Sequence, residues 1–232
     1  MKKRIVVSFS GGKDSVLALH RLQESGDWEI DSLLTTLTEG YNRTTMHGVR
    51  NNLLELQAKS LGIPLRKVWI PRDCPNEVYQ QRMKQAVNGI VSDGIPYIMF
   101  GDIFLQDIKS YREKMLEGTG LTPIFPIWGE DSKQVMKEFL EKDFKTVVCC
   151  IDISVIDKSF AGRIMDQQFL NDYPDGQDIC GENGEFHTYV FDGPNFSFPI
   201  KFKFGETRLA KDMYTNMDRF YYVDILPDGN EM

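Results

Sequence analysis

The chain has 232 residues, 41% of them apolar and 26% charged, enough to bury a core as one large domain or two modest ones without disulfide or metal staples. No stretch approaches the ~20 apolar residues of a membrane-spanning helix, and the basic Met-Lys-Lys-Arg start leads into an apolar segment too short for a secretory leader, so no membrane partner and a cytoplasmic location are expected. The formal charge of −7 is uneven, with 20 Lys/Arg against 19 Asp/Glu in residues 1–151 and 7 against 15 in residues 152–232; the acidic second part argues against extensive nucleic-acid binding.

In chain order, the β-branched run Ile5-Val6-Val7 enters Ser10-Gly11-Gly12-Lys13-Asp14-Ser15, and a helix-like segment follows from Val16 to Leu22. A strand, a tight glycine turn and a helix start make an anion site, because glycine lets backbone N–H groups approach a phosphate and the helix dipole is positive there. The spacing fits neither a Walker A loop nor a dinucleotide-binding fingerprint. It resembles instead the PP-loop of the ATP pyrophosphatase superfamily, whose members split ATP between the α and β phosphates. Ser10, Gly11, Gly12, Lys13, Asp14 and Ser15 are then the expected ATP-binding residues. Asp14 suits a Mg²⁺ ligand beside pyrophosphate, or a first-turn acid favoured by the dipole. The loop is expected to be exposed.

Ile30–Leu37 reads as a strand and His47–Leu61 as a helix with Val49, Leu53 and Leu56 on one face, stopped by Gly62-Ile63-Pro64. The polar loop Glu39 to Met46 makes His47 more suited to a cap than to catalysis. Strand Leu65–Ile70, helix Asn76–Ser92, strand Tyr97–Phe100, helix Asp107–Glu117, helix Ser132–Lys142 and strand Thr146–Ile151 complete the alternation. The expected fold class is α/β, a parallel sheet with helices on both faces, with ligands at the carboxyl ends of its strands. Gly101 and Asp102 fall at such an end, where adenosine or substrate would lie, although Asp102 also suits a helix cap.

Beyond Ser154 the texture changes to a helix near Lys158–Leu170, a Gly/Asp-rich stretch, and strands at Thr188–Phe191, Phe198–Phe204 and Phe220–Leu226. A smaller α+β domain over residues 152–232, after a nucleotide-binding domain over 1–151, is expected. Within it Cys180-Gly181-Glu182-Asn183-Gly184-Glu185-Phe186-His187-Thr188 gathers carboxylates, an amide and an imidazole; it reads equally as a hairpin turn at Asn183-Gly184 and as a site. Cys74, Cys149, Cys150 and Cys180 have no zinc or CxxC spacing and are expected to be reduced thiols.

The phosphate loop, Gly101-Asp102-Ile103, Tyr111-Arg112, Phe125-Pro126-Ile127-Trp128-Gly129, Phe160-Ala161-Gly162-Arg163 and Gly181 to Thr188, in this order, resemble the diphthine–ammonia ligase family. The resemblance implies a PP-loop domain followed by a smaller domain, with substrate between them. It implies ATP and Mg²⁺ as cofactors, ammonium as nitrogen donor, and a carboxylate acceptor, diphthine on elongation factor 2 in members that act on it. On that reading Asp14, Lys13, Glu182, Glu185 and His187 are catalytic candidates, and Asp14 also holds metal. Arg112, Arg163, Asn183 and Gly184 are candidates for substrate binding, with structural ion pairs the alternative for the two arginines. Two other functions remain open from the residues: sulfur transfer through cysteines to an adenylated carbonyl, and ATP or AMP sensing without turnover.

Overall fold

The computed structural model describes residues 2–45, 47–211 and 215–229; Met46, at the end of the polar loop before His47, lies outside them. The elements are β1 (Lys3–Ser8), α1 (Lys13–Ser25), β2 (Trp28–Thr38), β3 (Arg43–Thr44), α2 (Asn51–Leu61), β4 (Leu65–Ile70), α3 (Asn76–Ser92), β5 (Tyr97–Met99), α4 (Gln106–Leu116), β6 (Thr122–Ile124), α5 (Ser132–Glu141), β7 (Lys145–Asp152), α6 (Gln167–Asp172), β8 (Phe186–Asp192), β9 (Phe202–Lys211) and β10 (Asp218–Pro227). The first sheet runs β3-β2-β1-β5-β6, with β4 also paired to β2, and every pairing is parallel except that of the two-residue β3.

Strand alternation explains the two layers of helices. Ile5 and Val7 of β1, Leu33 and Leu37 of β2 and Met99 of β5 face one core with α1 and α2. Val6, Leu34 and Ile98 face another with Met83, Val87 and Ile90 of α3 and Leu116 of α4. A strand buried on both faces needs the unbroken apolar run that β1 has. Eight of the thirteen residues of α1 are buried, because this helix lies between the first sheet and a second one.

The second sheet is antiparallel, in the order β8-β7-β10-β9. Here the expectations need correction. Thr146–Ile151 is a strand but pairs with β8 and β10 and not within the parallel sheet. Its residues are all buried, and a continuous apolar run does not specify its partner. The expected division at residue 151 falls inside this strand. The helix expected near Lys158–Leu170 is instead a 3₁₀ turn at Lys158–Phe160 and the short α6, interrupted where Gly162 takes φ +79°. The helix expected from His47 starts only at Asn51, with Arg50 as its N-cap residue. The strand expected from Phe198 starts at Phe202. Both sheets share one apolar core, in which Phe139 of α5 stacks on Phe144 at 4.9 Å between ring centres. Arg21 of α1 clamps the same corner through Glu130 and Glu138.

Candidate active site

The strand order reverses between β1, whose successors lead outward through β2, and β5, which leads to β6 on the other side. Loops diverge from such a point and leave a crevice at the carboxyl strand ends. A cleft of about 190 Å³ lies there, lined by Ser8, Ser10, Lys13, Asp14, Ser15, His47, Phe100, Gly101, Asp102, Arg112, Gly181, Glu182, Phe186, His187 and Thr188.

The phosphate loop forms one wall. Gly11 takes φ +80°, and a Cβ there would stand 2.5 Å from Gln57 Oε1. Ser10 and Ser15 hydroxyls lie 3.2 Å apart, and Ser10 Oγ accepts the Gly12 N–H. Contrary to the expectation of an exposed loop, Gly11, Gly12, Lys13 and Ser15 are buried, because β8 packs over them. Gly101 is required by the opposite contact: its Cβ would lie 3.0 Å from Asp14 C and Ser15 N, so the end of β5 abuts the first turn of α1.

Lys13 is 3% exposed and its ammonium is held by Asp14 Oδ2 at 2.9 Å, by the Cys180 carbonyl, and by the face of Phe186 at 5.1 Å. Burial is the largest single influence and opposes this charge, but Asp14, through its charge and its hydrogen bond, together with Cys180 and Glu182 keeps the lysine above its ordinary pKa. Burial also raises the Asp14 carboxyl, against the pull of Lys13. Asp14 Oδ1 is buried with no hydrogen-bond partner among the described residues. A bare carboxylate oxygen beside a phosphate loop fits Mg²⁺, which typically takes one or two protein carboxylates and fills its shell with phosphate oxygens and water.

The stretch Gly181–Thr188 forms the facing wall. Gly184 N–H closes a turn onto the Gly181 carbonyl at 3.0 Å, so the turn is centred on Glu182 and Asn183 rather than on Asn183-Gly184, and it is not the expected hairpin, because β8 pairs with β7 and no strand directly precedes the turn. Glu182 turns into the cleft, where Oε1 accepts the Ile103 N–H at 2.8 Å. Burial pushes its pKa up to about 7, helped by repulsion from Asp14 and Asp102. The His187 ring lies 4.4 Å from that of His47. Burial lowers both, His47 to about 4, with the Lys13 charge adding to the effect, so both imidazoles are neutral. Asp102 faces Arg112 at 3.6 Å across the floor; burial raises the Asp102 carboxyl despite that charge.

Other expected residues lie outside this lining. Glu185 is 3% exposed and accepts from Asp178 N–H and Asn183 Nδ2, which holds the turn together. Arg163 pairs with Asp172 at 2.7 Å on the outside of the second sheet, the structural ion pair that was the alternative for it. Sequence reasoning placed the Gly181 to Thr188 stretch beside the nucleotide-binding part, and Gly181, Phe186 and Thr188 line the cleft with it; it missed Ser8 and Phe100 and assigned His47 to a cap. Spacing holds no signal for His47, which reaches the cleft through tertiary packing. Among the described residues no cluster of three His, Cys, Asp or Glu side chains forms a metal cage, and no helix is long and apolar enough to cross a membrane.

Residues 2–123 match the diphthamide synthase N-terminal domain and residues 131–223 the diphthamide synthase C-terminal domain. The chain belongs to the diphthamide synthase family. The diphthamide synthase assignment extends over both sheets. No curated protein matches the sequence. Among solved structures, the U34-tRNA thiolase NcsA from Methanococcus maripaludis, determined with its [4Fe-4S] cluster, is similar at 16% identity and a TM-score of 0.38. That match covers 60% of this chain and 58% of the thiolase, so this diphthamide synthase family member spans less than two thirds of the solved relative.

Proposed function

We propose that the protein is an ATP-dependent amide ligase, which adenylates a carboxylate and displaces AMP with ammonia. The observation that carries this reading is the cleft, in which the phosphate loop with Asp14 faces Glu182, His187 and His47. A carboxylate resists ammonia because oxide would have to leave, whereas an acyl-adenylate releases AMP. In the first step a carboxylate oxygen of the acceptor attacks the α-phosphorus and pyrophosphate departs. Asp14 would hold Mg²⁺, which would supply charge neutralisation on the phosphates; Ser10, Ser15 and the start of α1 orient them. Gly101 and Asp102 border the nucleotide, and Arg112 matches the fork of a carboxylate.

In the second step ammonia attacks the acyl carbon, loses a proton, and AMP leaves. A carboxyl at Glu182 that titrates near neutrality suits that proton transfer, and His47 and His187, kept neutral by burial, border the same space as hydrogen-bonding groups without a charge to repel ammonium. Glu185, Asn183 and Gly184 shape the turn that presents Glu182. The acceptor proposed is the diphthine carboxylate of elongation factor 2. Transfer of sulfur through cysteine fits less well: burial pushes Cys150 up to about 12 and raises Cys149 and Cys180 as well, and none of the three lines the cleft.

Labelled ammonium, ATP and an acceptor carboxylate should yield labelled amide with AMP and pyrophosphate in equal amounts. ADP and phosphate as the products would defeat adenylation. A thiocarbonyl product made with a sulfur donor, and lost in Cys→Ser variants, would replace amidation by sulfur transfer. Binding of ATP without substrate-dependent AMP release would make the protein a sensor.

A further inference from the structure

Helix α1 starts without a cap of its own. Its N-cap residue is Gly12, which has no side chain, yet the first-turn N–H groups of any helix lack partners within it. The missing acceptor comes from the other sheet. Thr188, 2% exposed, receives the Lys13 N–H on its hydroxyl oxygen at 3.0 Å, from 175 residues further along the chain. The adjoining Gly11 carbonyl accepts the Val190 N–H at 2.9 Å and Gln57 Nε2 at 2.9 Å, and the same Gln57 nitrogen donates to the Val190 carbonyl at 2.6 Å. A Cβ on Gly12 would stand 3.1 Å from the Thr188 carbonyl, so the loop and β8 are in contact backbone to backbone.

We propose that Thr188 is a positioning residue for ATP, its hydroxyl capping the phosphate-loop helix from the second sheet, so that β8 completes the nucleotide site as well as the acceptor side. This rests on the reading of the Ser10–Ser15 loop as the phosphate site, and not on the identity of the acceptor. The physical reason is directional. An oxygen acceptor at this point fixes the orientation of the Lys13 peptide, and with it the first-turn N–H groups that face a phosphate. A methyl in its place leaves a buried donor unpaired and lets the turn open.

The test uses the full chain with Thr188→Val, which keeps the shape and removes the acceptor, and Thr188→Ser, which keeps the hydroxyl. Calorimetric titration with Mg²⁺ and the non-cleavable α,β-methylene analogue of ATP reads affinity. Loss of a cap of this kind should weaken binding about fivefold in Thr188→Val and leave Thr188→Ser within about twofold of wild type. Equal affinity of wild type and Thr188→Val, or equal weakening in both variants, overturns the proposal while the phosphate site stands. Failure of the wild-type protein to bind the nucleotide overturns both. Hydrogen exchange at the Lys13 amide of the ligand-free protein reads the cap without nucleotide and without dependence on the Val variant's folding. Slow exchange in wild type and Thr188→Ser is expected, and exchange at the rate of an open loop in wild type refutes the cap.

Discussion

Replacing Gly101 by Ala tests the claim that the site depends on backbone approach between β5 and α1. The added methyl would sit 3.0 Å from Asp14 C and Ser15 N and 3.1 Å from Asp14 O, all main-chain atoms at the start of a buried helix, so no side chain can swing aside. Relieving the clash means moving the phosphate-loop turn by several tenths of an ångström. Overpacking of this order costs about 1–3 kcal/mol, and the lower entropy of the unfolded alanine chain offsets about 0.4–1 kcal/mol. At mid-range the net is about 1.3 kcal/mol of lost stability, or a melting temperature lower by roughly 3–5 °C for a chain of this size. Gly89→Ala is the matched control: Gly89 lies exposed within α3 with no atom within 4 Å of an added Cβ, so the change should stabilise by about 1 kcal/mol. Thermal melts should move in opposite directions, and nucleotide titration should show weakened ATP binding in Gly101→Ala alone. A Gly101→Ala protein that melts at or above wild type and binds ATP normally would refute the reasoning.

Two further outcomes follow from the charges in the cleft. Asp14→Ala should abolish Mg²⁺-dependent turnover and also lower stability by up to about 3 kcal/mol, because it strips the carboxylate from the buried Lys13 ammonium; an unchanged urea midpoint would show that the ion pair contributes nothing. For Glu182 the folded pKa, about 7, stands above the ordinary 4.5, so the stability its neutral form contributes is fully present below about pH 4.5 and is lost as the pH rises through about 7. Glu182→Gln should therefore flatten that part of the stability profile in ligand-free protein, and parallel profiles for the two proteins would count against a buried Glu182.

The first sheet and its ligand crevice were legible in the sequence because they rest on local patterns. Ile5-Val6-Val7 must be buried on both faces, Gly11-Gly12 must turn, and the alternation of strands and helices through Glu117 leaves a parallel sheet as the arrangement that covers every apolar face. That the chain turns near Asn183-Gly184 was legible for the same reason, since an Asn-Gly pair marks a turn locally, but its span over Gly181–Gly184 and the absence of a hairpin were not. Which sheet takes Thr146–Ile151 was not, because a strand buried on every residue, with the unbroken apolar run Val147–Ile151, carries no sign of its partner, and the pairing with β8 and β10 is decided by long-range packing around Phe139 and Phe144. The same packing decides the site. It brings His47 against His187 across 140 positions of chain, places Thr188 on the phosphate loop, and leaves Arg163 outside. Residue type and spacing set what each side chain can do; only the docking of the two sheets through one core determines which of them meet.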